Sequence, residues 1–169
     1  MLINSHIIFL RHGTTNKDET INYDKYDSKD KKISKKLYNI IIKNNIQKKI
    51  IFYSSPEKRC IDTLYLLKEN LISKGILNEI KIKINKNLIR WDKKGNEPRK
   101  DSKDRAIAYG NKLKNFFDTT NNEFIIYCTH SSIMGYIIEG INDRNPGRIN
   151  KGALFYYNVD EKQFKIENY

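Results

Sequence analysis

Alanine is nearly absent from this chain: three residues in 169, against 27 Ile, 25 Lys and 20 Asn. The three abundant types share AT-rich codons, so composition carries a base bias and the lysines must be read against it. Cysteine is equally scarce. Cys60 and Cys128 are too few for a disulfide framework and lack the spacing of metal ligands. No apolar run approaches the roughly 20 residues that span a bilayer. No basic segment precedes the apolar stretch near the N-terminus, so a signal peptide is not expected. Repeats, linkers and low-complexity tails are missing as well. These absences point to a soluble protein in a reducing, cytoplasmic setting.

What is present suits a globular chain. Aromatics reach 11%, with 11 Tyr and 7 Phe, which argues against disorder. The length predicts one domain over residues 1–169, large enough to bury a core. A net charge of +12 suits an anionic partner such as nucleic acid, a membrane surface or a phosphorylated substrate. Codon drift accounts for the lysines better than nucleic-acid binding does. Only seven of the 32 basic residues are Arg, so each arginine carries more information.

Strand-like and helix-like segments alternate. Residues 6–10, 49–53 and 124–128 are continuous apolar runs, the pattern of strands buried on both faces. Residues 14–32 read as a long polar loop. Ile33, Leu37, Ile40, Ile41 and Asn44 fall at helical spacing. A second helix is predicted with Ser55 as N-cap, Pro56 at its first position, and a stripe of Cys60, Leu64, Leu67 and Leu71, stopping at Gly75. Ile80, Ile82 and Ile84 alternate with Lys as a half-exposed strand. After an irregular stretch, Ile107, Gly110, Leu113 and Phe117 predict a helix from about Asp104, and a short helix runs through Met134 to Ile138. Residues 141–151 read as a loop, and 153–159 with 163–167 as a terminal hairpin. The expected fold is a three-layer α/β sandwich. Its central sheet is mostly parallel, its helices lie on both faces, and strand 1 is central.

Each buried run ends in a polar cluster: Arg11-His12-Gly13, Ser54-Ser55-Pro56 with Arg59 behind it, and Thr129-His130-Ser131. Ligands of open α/β sheets bind outside the carboxyl ends of the strands. Two imidazoles and two guanidiniums would therefore meet at one edge, with Arg59 in the first turn of a helix, where anions are favoured. Guanidiniums grip oxyanions bidentately, and a neutral imidazole can attack phosphorus. Gly13, lacking Cβ, lets the backbone pass close to the bound group. Cys60 and Cys128 read as small core fillers.

These three motifs, in this order and each at a strand end, resemble the histidine phosphatase superfamily, the phosphoglycerate-mutase-like fold. The first is Arg-His-Gly; the second is Tyr53 to Thr63, where Arg59 follows Ser55-Pro56; the third is Thr129-His130-Ser131. The likeness spans residues 6 to about 157. It implies that His12 is the nucleophile that becomes phosphohistidine, that Arg11 and Arg59 hold the phosphoryl oxygens, and that His130 is the second histidine of the phosphate pocket. Gly13, Thr15 and Ser131 complete the implied phosphate-binding set. No metal and no cofactor are implied.

Many members carry a glutamate after the third strand as general acid. Here Leu88-Ile89-Arg90 puts an arginine at that place, and Asp92 and Glu97 are the nearby carboxyl candidates. Asp92, beside Trp91, is taken as the acid, with Glu97 or no carboxylate as the alternatives. The mutase branch has Glu or Gln, then Thr or Ser, after Arg-His-Gly. Thr14-Thr15-Asn16 fits only at Thr15, which favours a compact phosphatase over a mutase. A phosphate-binding pseudophosphatase is the remaining alternative. The expected partner is a phosphorylated small molecule or a phosphoprotein; membrane and nucleic-acid partners are not expected.

Overall fold

The computed structural model describes residues 7–13, 15–16, 33–42, 49–76, 79–90, 97–117, 123–147, 149–150, 153–158 and 161–167. In chain order the elements are β1 (Ile7–Arg11), α1 (helical over 33–42), β2 (Lys49–Ser54), α2 (Lys58–Ser73), β3 (Ile80–Ile84), a 3-10 turn (Lys86–Leu88) and α3 (Arg99–Phe117). They continue with β4 (Glu123–Thr129), α4 (Ser131–Asn142), β5 (Leu154–Asn158) and β6 (Gln163–Glu167). The strands form one sheet in the order β3-β2-β4-β1-β5-β6. The first four are parallel, and the β5–β6 hairpin adds antiparallel to β1. β1 and β4 thus lie inside the sheet, and β3, with its alternating Lys, is an edge.

Alternating side chains of each strand face opposite layers. Ile8 and Leu10 of β1, Phe124 and Ile126 of β4, and Ile50 and Phe52 of β2 pack against α1 and α2. Ile7, Phe9, Ile125 and Tyr127 pack on the other face against α3 and α4. Burying one such side chain contributes roughly 1.5–3 kcal/mol. The strand ends are therefore carried on rigid supports.

The helices α3 and α4 cross at very close range. A Cβ on Gly110 would lie 2.2 Å from the Ile137 carbonyl oxygen, and one on Gly140 would lie 2.3 Å from that of Ile107. Glycine is needed at both positions for the backbones to touch.

Three expectations shift in the structure. The helix α2 begins at Lys58 with Glu57 as N-cap, not at Pro56 with Ser55, because the Ser55 and Glu57 side chains bond each other. The helix α3 begins at Arg99, five residues before Asp104. Its first turns are exposed and its first buried position is a serine, Ser102, so no apolar period marks the start. Ala106 takes the buried position there, while Ile107 is only half-buried. His6, Asn44 and most of the 14–32 loop fall outside the described residues.

Candidate active site

Strand register brings the three motifs together. Arg11 pairs with Thr129, and Ser54 pairs with Cys128, so β1, β4 and β2 end side by side. The ladder continues one residue further: His12 N–H donates to the Thr129 carbonyl at 3.0 Å, and Ser55 N–H to that of Cys128 at 3.0 Å. The strand β4 runs through Thr129 and α4 starts at Ser131, leaving His130 alone between them as N-cap.

Arg11, His12, His130 and Ser131 line one cleft of about 350 Å³, together with Arg90 and Tyr136 among others. No carboxylate among the described residues lines it. Gly13, Thr15 and Arg59 stand outside the lining. Gly13 and Arg59 nevertheless support it. The Thr63 hydroxyl accepts from Gly13 N–H at 3.0 Å and donates to the Arg59 carbonyl at 2.6 Å, which ties the loop after β1 to α2. Arg11 Nη1 and Ser131 Oγ both donate to the Ile149 carbonyl, at 2.9 and 3.1 Å.

His12 is buried, and its Nδ1 lies 2.8 Å from the Gly13 carbonyl oxygen. A carbonyl only accepts, so Nδ1 carries the proton and Nε2 keeps a lone pair. Burial, the neighbouring His130 and the guanidiniums of Arg59 and Arg11 push the His12 imidazolium down to about 3, against a smaller opposing pull from Gly13. The ring is neutral at physiological pH, with a free nitrogen for attack on an electrophile.

The residue that sequence reading missed is Glu57. Its Oε1 lies 3.1 Å from His130 Nε2 and accepts from Arg90 N–H at 3.0 Å; its other oxygen accepts from Ser55 Oγ. Burial pushes the Glu57 carboxyl up, but bonds from His130, Ser55 and Arg90 outweigh it and bring the group down to about 2. Burial likewise pushes the His130 imidazolium down, while contacts with Cys60 and Glu57 more than offset it, so the net shift is upward. Cys60 and Cys128 are both buried in the core, as read from sequence, but Cys60 Sγ also sits 3.5 Å from His130 Nε2. The only signal for Glu57 was an acid two residues before Arg59. Under a helix starting at Pro56, that acid needed no explanation beyond the favourable charge at a helix N-terminus.

The two acid candidates fare differently. Asp92 lies outside the described residues. Glu97 is held bidentately by Arg105, with Oε1 2.8 Å from Nε and Oε2 2.7 Å from Nη2, and Arg105 lowers its carboxyl below the usual range. An acid kept ionised in this way is a poor proton donor. Arg105 also donates to the Asn87 and Ile89 carbonyls, so this pair fixes the segment that leads to Arg90.

No protein-family model and no curated protein matches the chain. Solved structures do match. A phosphoserine phosphatase from Entamoeba histolytica, in complex with 3-phosphoglyceric acid, superimposes with a TM-score of 0.60 at 13% identity, covering 96% of this chain and 94% of that one. The protein histidine phosphatase SixA, complexed with tungstate, gives 0.57 at 14% identity, covering 95% and 93%. A phosphoglycerate mutase from Plasmodium falciparum gives 0.55 at 15%, covering 95% and 96%. The fold expected from the three motifs is therefore the fold observed: the chain is folded like histidine phosphatases and phosphoglycerate mutases.

Proposed function

We propose that this protein is a phosphatase that hydrolyses a phosphate monoester or an activated phosphate through a phosphohistidine on His12. The observation that carries the reading is the 2.8 Å contact of His12 Nδ1 with the Gly13 carbonyl, which leaves Nε2 as the unprotonated nitrogen of a ring that lines one cleft with Arg11. In the reaction Nε2 attacks phosphorus, the bond to the leaving oxygen breaks, and water later cleaves the P–N bond to release inorganic phosphate. Arg11 and Arg59 hold the phosphoryl oxygens, with His130 and Ser131 beside them, as charge spreads onto those oxygens in the transition state. Gly13 and Thr15 do not line the cleft; Gly13 serves the group through the carbonyl that holds His12 Nδ1, and Thr15 follows it in the same loop.

The cleft volume is in the range of small-ligand sites, which are about 300–1,000 Å³. The substrate is thus a phosphorylated small molecule or the phosphorylated tip of a protein side chain. Arg90, standing on the wall, favours substrates with a second anionic group. Among the described residues no helix is long and apolar enough to cross a membrane.

A screen of phosphorylated metabolites and phosphopeptides, run beside His12→Ala, tests the reading. Turnover by the native protein that vanishes in the variant is expected; full activity in the variant overturns it.

A further inference from the structure

Departure of an alkoxide from phosphorus needs a proton, and no carboxylic acid among the described residues lines the cleft. Glu97 is locked to Arg105. Among the described residues the carboxylate that bonds His130 is Glu57, which does not line the cleft. Three groups fix it there: His130 Nε2 at 3.1 Å, Arg90 N–H at 3.0 Å and Ser55 Oγ. His130 is buried, and its ring centre is 5.0 Å from that of His12. Its second nitrogen, Nδ1, is fully buried and has no hydrogen-bond partner among the described residues.

We infer that Glu57 is a positioning residue that holds His130 as an imidazolium, and that His130 Nδ1–H delivers the proton to the leaving oxygen. This rests on the phosphatase reading and deepens it. A carboxylate at Nε2 stabilises the cationic ring and fixes its plane, as the buried aspartate does for the histidine of a serine-protease triad. The proton then sits on Nδ1, beside the nucleophile's ring. As the P–O bond breaks, Nδ1 gives its proton to the departing oxygen and His130 becomes neutral, with Nε2–H still donating to Glu57. When water attacks the phosphohistidine, Nδ1 takes a proton back and the phosphate leaves from His12. Glu57 remains an anion throughout, and every proton is accounted for.

The charged and titratable neighbours of His130 come from each packed element. They are His12 from the end of β1, Glu57 and Cys60 from α2 and its cap, and Arg11 and Arg90, which line the same cleft; Arg59 acts on the adjoining His12, and Cys128 bonds Cys60. The guanidiniums oppose a cationic ring, and Glu57 is the carboxylate that opposes them. The arginine at position 90 fits the same arrangement. Its backbone anchors Glu57 while its side chain occupies a place from which a carboxylic acid would otherwise act.

Two measurements test this together. The His130 ring is titrated by NMR, which needs no turnover, and kcat/KM is followed against pH for an alkyl phosphate and for 4-nitrophenyl phosphate. His130 should titrate above 6.5 in the native protein and clearly lower in Glu57→Gln. The alkaline limb for the alkyl phosphate should move to lower pH with it. His130→Gln should slow the alkyl phosphate by about 10²–10⁴-fold, the usual worth of general acid catalysis, and the nitrophenyl ester far less. Titration at or below 6.5 in the native protein overturns the inference. So does a limb that moves in Cys60→Ala but not in Glu57→Gln, or a selective loss on alkyl phosphates in Asp92→Asn and not in His130→Gln. Failure of the phosphatase reading shows separately, as His12→Ala retaining activity.

Discussion

The backbone N–H of Gly13 donates to the hydroxyl of Thr63, 50 residues away, at 3.0 Å. That hydroxyl in turn donates to the Arg59 carbonyl at 2.6 Å. One side chain thus sets the spacing between the loop that carries His12 and the helix that carries Arg59. Both groups are buried, so Thr63→Val leaves a buried N–H without an acceptor. The expected cost is about 1–3 kcal/mol of stability, with a fall in kcat larger than any change in KM. Thr63→Ser should restore both, as read by urea unfolding and steady-state kinetics.

Acid should destabilise the protein in a window set by His12. Buried next to His130, Arg59 and Arg11, the ring binds a proton only near pH 3 when folded, against an ordinary 6.5. The unfolded chain therefore takes up the proton first. The contribution is fully present above pH 6.5 and is lost as pH falls through about 3, at roughly 1.4 kcal/mol per pH unit across the window. Glu57 acts in the same sense between the ordinary 4.5 and about 2. In His12→Asn the stability profile should flatten between pH 6.5 and 4.5, with the Glu57 limb remaining below 4.5. An unchanged slope in that variant contradicts the assignment.

The crossing of α3 and α4 predicts opposite outcomes for two glycines on one helix. Gly140→Ala drives a Cβ to 2.3 Å from the Ile107 carbonyl, where backbone must give way. A loss of about 1–3 kcal/mol is expected. At Gly135 the nearest atom is 3.6 Å away, an ordinary contact. There Ala should be neutral or gain up to about 1 kcal/mol through helix propensity. Thermal unfolding of the two variants settles the contrast.

Glu97→Gln should affect alkyl and nitrophenyl phosphates alike, because Glu97 is bound to Arg105 and not poised to give a proton. The partly exposed pair is worth about 1 kcal/mol or less. A selective loss on alkyl phosphates would return Glu97 to the role of acid.

Much of this site was legible in the sequence because its parts sit where patterns break. An apolar strand that stops at Arg11-His12-Gly13 or at Thr129-His130-Ser131 announces a strand end, and parallel register does the rest. The Cys60, Leu64, Leu67, Leu71 stripe matched the buried face of α2 for the same reason. What escaped depends on side chains bonding each other across elements. Ser55 and Pro56 carry a proper helix start, yet the Ser55–Glu57 bond postpones it by two residues. Glu57 finds His130, 73 positions away, through that altered turn. No local period encodes such a pairing. The early start of α3 was hidden because Ser102, a polar residue, takes its first buried position.

The central claim is that His12 carries the phosphoryl group. Brief incubation with a labelled phosphate donor, followed by denaturation and peptide mapping, tests it most directly. A phosphopeptide containing His12, labile in acid and stable in base, is expected, and it should be absent from His12→Ala. A protein that turns over substrate without forming it, or that forms an acid-stable phosphoenzyme at another residue, contradicts the account.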